Sequence, residues 1–195
     1  MGVEFEMKYR ANRQQLSAIR QAFAEEETCY QMQTTYYDTP AGSFSAKKCT
    51  LRRRMENDVS VCTLKTPAGG FGRREWEVEC GSIEEAIEKL CKLGAPRDIL
   101  DLAHEGLIPI CGARFTRIAK TLSWEGARLE LALDEGILTG GGGEMPLCEV
   151  EVELKEGSQE SCLAFARELS RRFGLQLEQN SKFRRALALY KGETL

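Results

Sequence analysis

An α+β fold built on a large antiparallel sheet is what the 195-residue sequence predicts. Three observations carry that expectation. Several short segments alternate apolar and charged residues with the period of a strand. Turn signals join consecutive segments into hairpins, and stretches with helical spacing lie between and after them. At 42% hydrophobic and 29% charged residues the chain is globular and long enough to bury a core. No linker splits it, so one domain over residues 1–195 is expected. No apolar run approaches the ~20 residues of a membrane helix. The first residues lack the basic and apolar regions of a signal peptide, so a cytoplasmic location is expected.

Residues 3–9 alternate strictly, which predicts the first strand. Asn12 then reads as an N-cap, with Leu16, Ile19 and Phe23 on one helical face. Residues 33–38 predict a strand that ends in the turn Asp38-Thr39-Pro40-Ala41-Gly42. Residues 49–56 and 59–65 predict two strands joined at Asn57-Asp58, and residues 73–79 a third after Pro67-Ala68-Gly69-Gly70. Ser82 opens a helix that ends near Gly94, and Ser82 with Glu85 matches a capping box. A less regular helical stretch covers 96–104. Residues 115–124 and 128–134 predict a hairpin turning at Glu125-Gly126. The run Gly140-Gly141-Gly142-Gly143 predicts a flexible loop; without a following Lys-Ser/Thr it is no phosphate-cradling P-loop. Residues 147–154 form the last clear strand, 158–173 an amphipathic helix ending at Gly174, and 181–190 a basic helix.

Eight cysteines invite a metal or disulfide reading, but none form a Cys-x-x-Cys pair and the chain has one histidine, His104. Zinc sites use short-range Cys/His pairs, and a disulfide framework needs an oxidising compartment. Buried or half-buried free thiols are expected, and a Cys–His nucleophile is set aside.

The chemistry shows in the phase of the charges. Glu4, Glu6 and Lys8 share one strand face, as do Arg52 and Arg54, then Arg73, Glu75 and Glu77, then Glu130 and Asp134. Glu149, Glu151 and Glu153 stack three like charges on one face with no cation between them. A wet sheet face alternates too, yet these positions are almost exclusively ionic rather than Thr, Ser and Gln. Crowded carboxylates ask for a hard divalent cation such as Mg²⁺ or Mn²⁺. Arginines and lysines on neighbouring strands ask for a multiply charged anion, best matched by phosphate oxygens. A curled sheet would bring both sets together, and a divalent ion beside bound phosphates makes a phosphoryl-transfer site. Nucleic acid is not the expected partner, because the net charge is −3 and no basic stripe carries interleaved aromatics.

The order of these motifs resembles the CYTH superfamily, the triphosphate tunnel metalloenzymes. Glu4-Phe5-Glu6-Met7-Lys8 matches the Glu-x-Glu-x-Lys signature, Tyr36-Tyr37-Asp38-Thr39-Pro40 and Leu51-Arg52-Arg53-Arg54 the next two segments, and Thr63-Leu64-Lys65 and Arg73-x-Glu75-x-Glu77 those after them. Leu131-Ala132-Leu133-Asp134, Glu149-Val150-Glu151-Val152-Glu153 and Ser181-Lys182-Phe183 resemble the late motifs. The resemblance implies an eight-stranded antiparallel β-barrel, a tunnel with the charged faces inside and flanking helices. It implies that Lys8, Arg52, Arg54, Lys65, Arg117 and Lys182 hold phosphates, with Arg185 near the tunnel mouth. Glu4, Glu6, Asp134, Glu149, Glu151 and Glu153 would hold Mg²⁺ or Mn²⁺, with Glu4, Glu6 and Lys8 at the reacting centre. Glu75, Glu77 and Glu130 would orient basic side chains.

The implied activity is metal-dependent hydrolysis of the terminal phosphate of inorganic triphosphate, a small-molecule substrate, by a monomer or homodimer without nucleic-acid or membrane partners. Alternatives are a class IV adenylate cyclase, a thiamine or nucleoside triphosphatase, and a module that binds polyphosphate or nucleotide without turnover. Thiamine recognition would add an aromatic platform, and the tryptophans, Trp76 and Trp124, both fall in the apolar phase.

Overall fold

A computed structural model describes residues 5–68 and 73–194. The chain begins with β1 (Glu6–Arg10), α1 (Arg13–Ala22), β2 (Glu27–Asp38) and the one-turn α2 (Ser43–Ala46). It continues through β3 (Thr50–Glu56), β4 (Val59–Pro67), β5 (Arg73–Glu79), α3 (Ile83–Lys92) and α4 (Arg97–Leu100), which runs into a 3₁₀ turn over Asp101–Glu105. Three long strands follow, β6 (Ile108–Trp124), β7 (Ala127–Gly140) and β8 (Gly143–Glu156), then α5 (Gln159–Phe173), β9 (Gln176–Leu177) and α6 (Lys182–Lys191). No helix among the described residues is long and apolar enough to cross a membrane.

All strands join one antiparallel sheet in the order β5-β4-β3-β2-β6-β7-β8-β1-β9. This corrects the eight-stranded closed barrel: among the described residues there are nine strands, and the sheet stays open. The outer edge of β1 is taken by β9, where Tyr9 pairs with Leu177 and Arg10 with Gln176, so β5 does not close against it there. The two-residue β9 is too short to leave a periodic trace in the sequence. The sheet curls instead, because side chains from β1 and β8 line the same cavity as side chains from β3, β4 and β5. Right-handed strand twist, accumulated over strands of 17, 14 and 14 residues at β6, β7 and β8, accounts for that curl.

The convex face is apolar and covered by the chain's own helices. Leu129, Leu131, Val150 and Val152 pack with Leu16 and Ile19 of α1 and Phe165 and Leu169 of α5. Leu51, Leu64 and Trp76 pack with Phe44 of α2 and Ile83 and Leu90 of α3. The predicted α1 cap is present as a full box between Asn12 and Gln15. At α3 only half of the expected box forms: Ser82 accepts from the Glu85 amide, while the Glu85 carboxylate accepts from the Cys80 thiol at 3.3 Å.

Helix α6 differs, since it lies on the concave face against Tyr36, Leu138 and Leu147. The expected flexible glycine loop is in fact a tight turn, with Gly140 paired to Gly143. Gly141 and Gly142 take φ of +59° and +79°, the left-handed pair that a two-residue hairpin requires. Gly140 is needed for a second reason: a Cβ there would stand 2.5 Å from the Ala186 carbonyl oxygen of α6. Backbone cannot yield as a side chain does, so Gly140→Ala is expected to destabilise the protein by about 1–3 kcal/mol, read from a urea midpoint.

All eight cysteines are free, as expected. Burial pushes the Cys62 thiol up to about 11 and the Cys111 thiol up to about 12. At pH 8 Cys62 is therefore thiolate in about one molecule in a thousand, and thiolate is the reactive form. In a thiol titration of the native protein exposed Cys29 should react first, with Cys62 and Cys111 silent until denaturant is added.

Candidate functional site

The charged phases all fall on the concave face, and the register aligns them in rows. Lys8 lies opposite Glu151, Glu6 opposite Glu153, and Arg10 opposite Glu149. Glu149 faces Asp134 across β7–β8, and Asp134 faces Arg117 across β6–β7. On the other wing Arg52 lies opposite Tyr36 and Arg54 opposite Thr34. Lys65 is opposite Glu75. The rows enclose a cavity of about 130 Å³. Among the described residues Lys8, Arg52, Arg54, Lys65, Arg73, Arg117 and Lys182 border it, against Glu6, Glu151 and Glu153. A chain of net charge −3 thus concentrates positive charge in one small space. The N-terminus of the ten-residue α6 adds to it, with the N-cap Ser181 on the lining.

The arginines of β3 are held from the side and left unfinished in the middle. Arg52 contacts Glu75 at 3.6 Å and Glu77 at 4.0 Å, Arg54 pairs with Glu56, and Lys65 pairs with Glu75 at 3.0 Å. Thr63 donates to Glu77 at 3.1 Å. Yet the Nε atoms of Arg52 and Arg54 are buried and have no hydrogen-bond partner among the described residues. An orphaned guanidinium donor is costly unless something completes it. Burial, and then its neighbour Arg52, pull the Arg54 pKa below the usual arginine value.

The other wing is densely paired, although the buried Nε of Arg185 has no hydrogen-bond partner among the described residues. Asp134, Glu149 and Glu151 bring carboxylate oxygens within 4.8 Å of one another. Arg117 holds Asp134 through two hydrogen bonds of 2.7 Å and also pairs with Glu151. Lys182 reaches Glu151 at 2.7 Å and Asp134 at 2.9 Å, and pairs with Glu149. Arg185 pairs with Glu149 from behind and stands 3.7 Å from Glu178. Three carboxylates therefore meet three cations. Burial alone would lower the Lys182 pKa, but Asp134, Glu151 and Glu149 outweigh it and raise it. Burial would raise Glu151, but Lys182 and Arg117 hold it well below the usual carboxylate range. Glu149 goes the other way, pushed up to about 7 by burial, with Lys182 opposing and Glu151 adding.

Of the residues singled out from the sequence, Glu6, Lys8, Arg52, Arg54, Lys65, Arg117, Glu151, Glu153 and Lys182 border the cavity. Glu4 lies outside the described residues. Asp134 and Glu149 are fully buried behind the lining, in contact with cations. Arg185, expected near the tunnel mouth, lies one helical turn past Lys182, pairs with Glu149 and is not among the residues that border the cavity. Glu75 and Glu77 do contact basic side chains of the lining, whereas Glu130 faces Lys155 at 3.6 Å. Arg114, next to Arg117 in sequence, points out and pairs with Glu144 at 3.0 Å.

Sequence reasoning missed Phe115, which lines the cavity under Lys182 and Arg117 at 5.4 and 5.8 Å from its ring centre. Its phase, two residues before Arg117, held the signal. It also missed Glu178, buried between Arg10 and Arg185 in a segment with no periodicity.

A curled antiparallel sheet that gathers arginines, lysines and carboxylates around one small cavity defines a class of ion-lined β-trough. The chain belongs to the CYTH domain family, whose pattern matches residues 2–187. It is 28% identical over 159 residues to the inorganic triphosphatase of Haemophilus influenzae, covering 80% of this chain. The chain spans about half the length of that curated relative, 45% of it. Among solved structures, HpAC1 from Hippeastrum, an adenylyl cyclase candidate described by its dominant triphosphatase activity, superposes with a TM-score of 0.68 at 20% identity over 98% of this chain and 97% of that one. The PH1819 protein of Pyrococcus horikoshii superposes with a TM-score of 0.61 at 22% identity, covering 93% and 96%. At such identities these likenesses show the fold.

Proposed function

We propose that the chain hydrolyses the terminal phosphoanhydride of inorganic triphosphate with Mg²⁺ or Mn²⁺ bound. One observation carries the reading: a cavity of about 130 Å³ in which, among the described residues, cationic side chains outnumber carboxylates and two buried arginine donors have no partner. The family membership and the triphosphatase name of the Haemophilus relative support it. Phosphate oxygens are the natural completion for guanidinium forks.

In this reading Arg52, Arg54 and Lys65 hold the chain of phosphates from one wing, and Lys8, Arg117 and Lys182 from the other. Glu75, in contact with both Arg52 and Lys65, and Glu77, beside Arg52, offset the mutual repulsion of these cations. The carboxylate oxygens bordering the cavity suit a hard divalent ion. Glu6, Glu151 and Glu153 would hold it, joined by Glu4, two residues before Glu6 in the sequence. Asp134 and Glu149, already matched by cations, would anchor Lys182 and Arg117 instead. The bound ion supplies charge neutralisation and a more acidic water. The side chains fix the triphosphate for in-line attack, and a surplus carboxylate accepts the proton of the attacking water. No side-chain nucleophile is required.

The test is product analysis with tripolyphosphate, ATP and thiamine triphosphate, each with Mg²⁺, Mn²⁺ or EDTA. The reading expects phosphate from tripolyphosphate, abolished by EDTA and restored by added metal. Cyclic AMP with pyrophosphate from ATP would make the chain a cyclase, and tight binding with no product at all would make it a binding module. A Glu6→Gln variant should lose at least about 100-fold in kcat while still binding tripolyphosphate, because it removes an acidic ligand and leaves the cations.

A further inference from the structure

We propose that the Tyr36–Phe183 aromatic pair, with α6 behind it, is a specificity wall that admits a bare triphosphate chain and excludes organic triphosphates. The inference rests on the triphosphate reading of the cavity and says which triphosphates fit. Lys182, the cation at the first position of α6, borders the cavity, and Phe183 follows it directly on the same lining. The Phe183 ring lies 4.9 Å from that of Tyr36 on β2, tilted at 50°. Tyr36 is only 4% exposed and Phe115, the third aromatic of the lining, 7%. Phe183 itself is half-buried, and each of the three rings has a neighbour. Tyr36 and Phe183 pack on each other, and Phe115 lies under the Lys182 and Arg117 cations.

A stacking platform for a base needs an open ring face; Tyr36 and Phe115 are buried, and half-buried Phe183 leans on the Tyr36 ring instead of standing clear of the wall. Behind the pair the concave surface turns apolar and full: Leu138, Leu147 and Ala113 meet Ala186 of α6, all 1% exposed or less. The close approach of α6 to Gly140 leaves no slack for it to retreat. A phosphate held by Lys182 thus abuts a wall with no room for an ester substituent, and a nucleoside or thiamine there would have to displace well-packed side chains. Site walls of this kind reject by sterics what they cannot reject by charge, since every triphosphate carries the same anionic chain.

The experiment compares kcat/KM for ATP and thiamine triphosphate with that for tripolyphosphate in wild type, Phe183→Ala and Phe183→Leu, all with Mg²⁺. The wall predicts that wild type prefers tripolyphosphate. It also predicts that the organic-to-inorganic ratio rises about tenfold or more in Phe183→Ala and by less in Phe183→Leu. Thermal stabilisation by each compound in EDTA gives the same comparison without turnover, and Phe183→Leu keeps an apolar contact should the alanine variant fold poorly. An unchanged ratio in both variants overturns the wall. A ratio that falls makes the pair a platform and overturns it as well. Wild type without tripolyphosphate turnover overturns the parent reading, and the wall with it; normal tripolyphosphate turnover with unmoved ratios overturns the wall alone.

Discussion

Lys182→Met should lower stability by about 3–5 kcal/mol and abolish turnover, the largest effect expected of any single substitution. The ammonium of Lys182 is the hub of the acidic wing, touching Asp134, Glu149 and Glu151 at once. Asp134 and Glu149 are fully buried. Removing one partner from a buried ionic cluster leaves charge without water or counter-ion, which costs far more than an exposed pair contributes. Arg117 and Arg185 would then face three carboxylates alone. For a chain of this size the loss corresponds to a fall of roughly 10 °C in the melting temperature. Low pH should shrink the deficit, because protonating the stranded carboxylates removes the charge that Lys182 had balanced. A melting temperature unchanged at pH 7.5 would show that the cluster is not the anchor of this wing.

Arg52→Gln is expected to behave in the opposite manner, with stability nearly unchanged and kcat/KM for tripolyphosphate down by about 100-fold or more. Arg52 sits in the wing where its Nε has no partner among the described residues. Its carboxylate contacts, at 3.6 and 4.0 Å, are too long for strong hydrogen bonds. The native fold therefore gains little from this guanidinium, while a bound phosphate would gain charge-assisted hydrogen bonds from it. A 100-fold loss is about 2.7 kcal/mol of transition-state stabilisation, within reach of one such interaction. The contrast between the two variants is itself informative, since it separates the wing that holds the fold from the wing that awaits a ligand.

Acid should destabilise the wild type by a related route. Glu178 is held below the usual carboxylate value: burial would raise it, but hydrogen bonds from Arg10 and the Asn180 amide, with Arg185 nearby, lower it further. A group whose folded pKa is depressed contributes stability above its unfolded pKa, which is lost as pH falls through the folded value. Glu178→Gln should therefore flatten the acid limb of a melting-temperature profile below about pH 4.5.

Much of the site was legible because strands impose period 2, and the ionic residues kept that phase without interruption. Glu6 with Lys8, Arg52 with Arg54, and Glu149, Glu151 and Glu153 needed no tertiary information to be placed on common faces. Closure was not legible. Whether β1 meets β5 or β9 depends on a two-residue strand and on the backbone contact from the Glu178 amide to the Lys8 carbonyl at 2.8 Å, neither of which leaves a pattern. The long strands were clipped in sequence because residues 108–114 and 135–140 do not alternate, their outer ends being covered by α6 rather than by water. The pairing of Arg185 with Glu149 was not legible for a similar reason: a helix position says which face a residue shares, not which side of the sheet's carboxylates that face will meet.

Calorimetric titration of tripolyphosphate into metal-free protein in EDTA, for wild type and for the Arg52→Gln/Arg54→Gln double variant, tests the central claim most directly. The claim is that the orphaned arginines of β3 form the anion site of the cavity. It predicts one triphosphate bound per chain, with affinity falling at least about 100-fold in the double variant while its melting temperature stays within a few degrees of wild type. Equal affinity in the two proteins, or no binding by wild type, would contradict it.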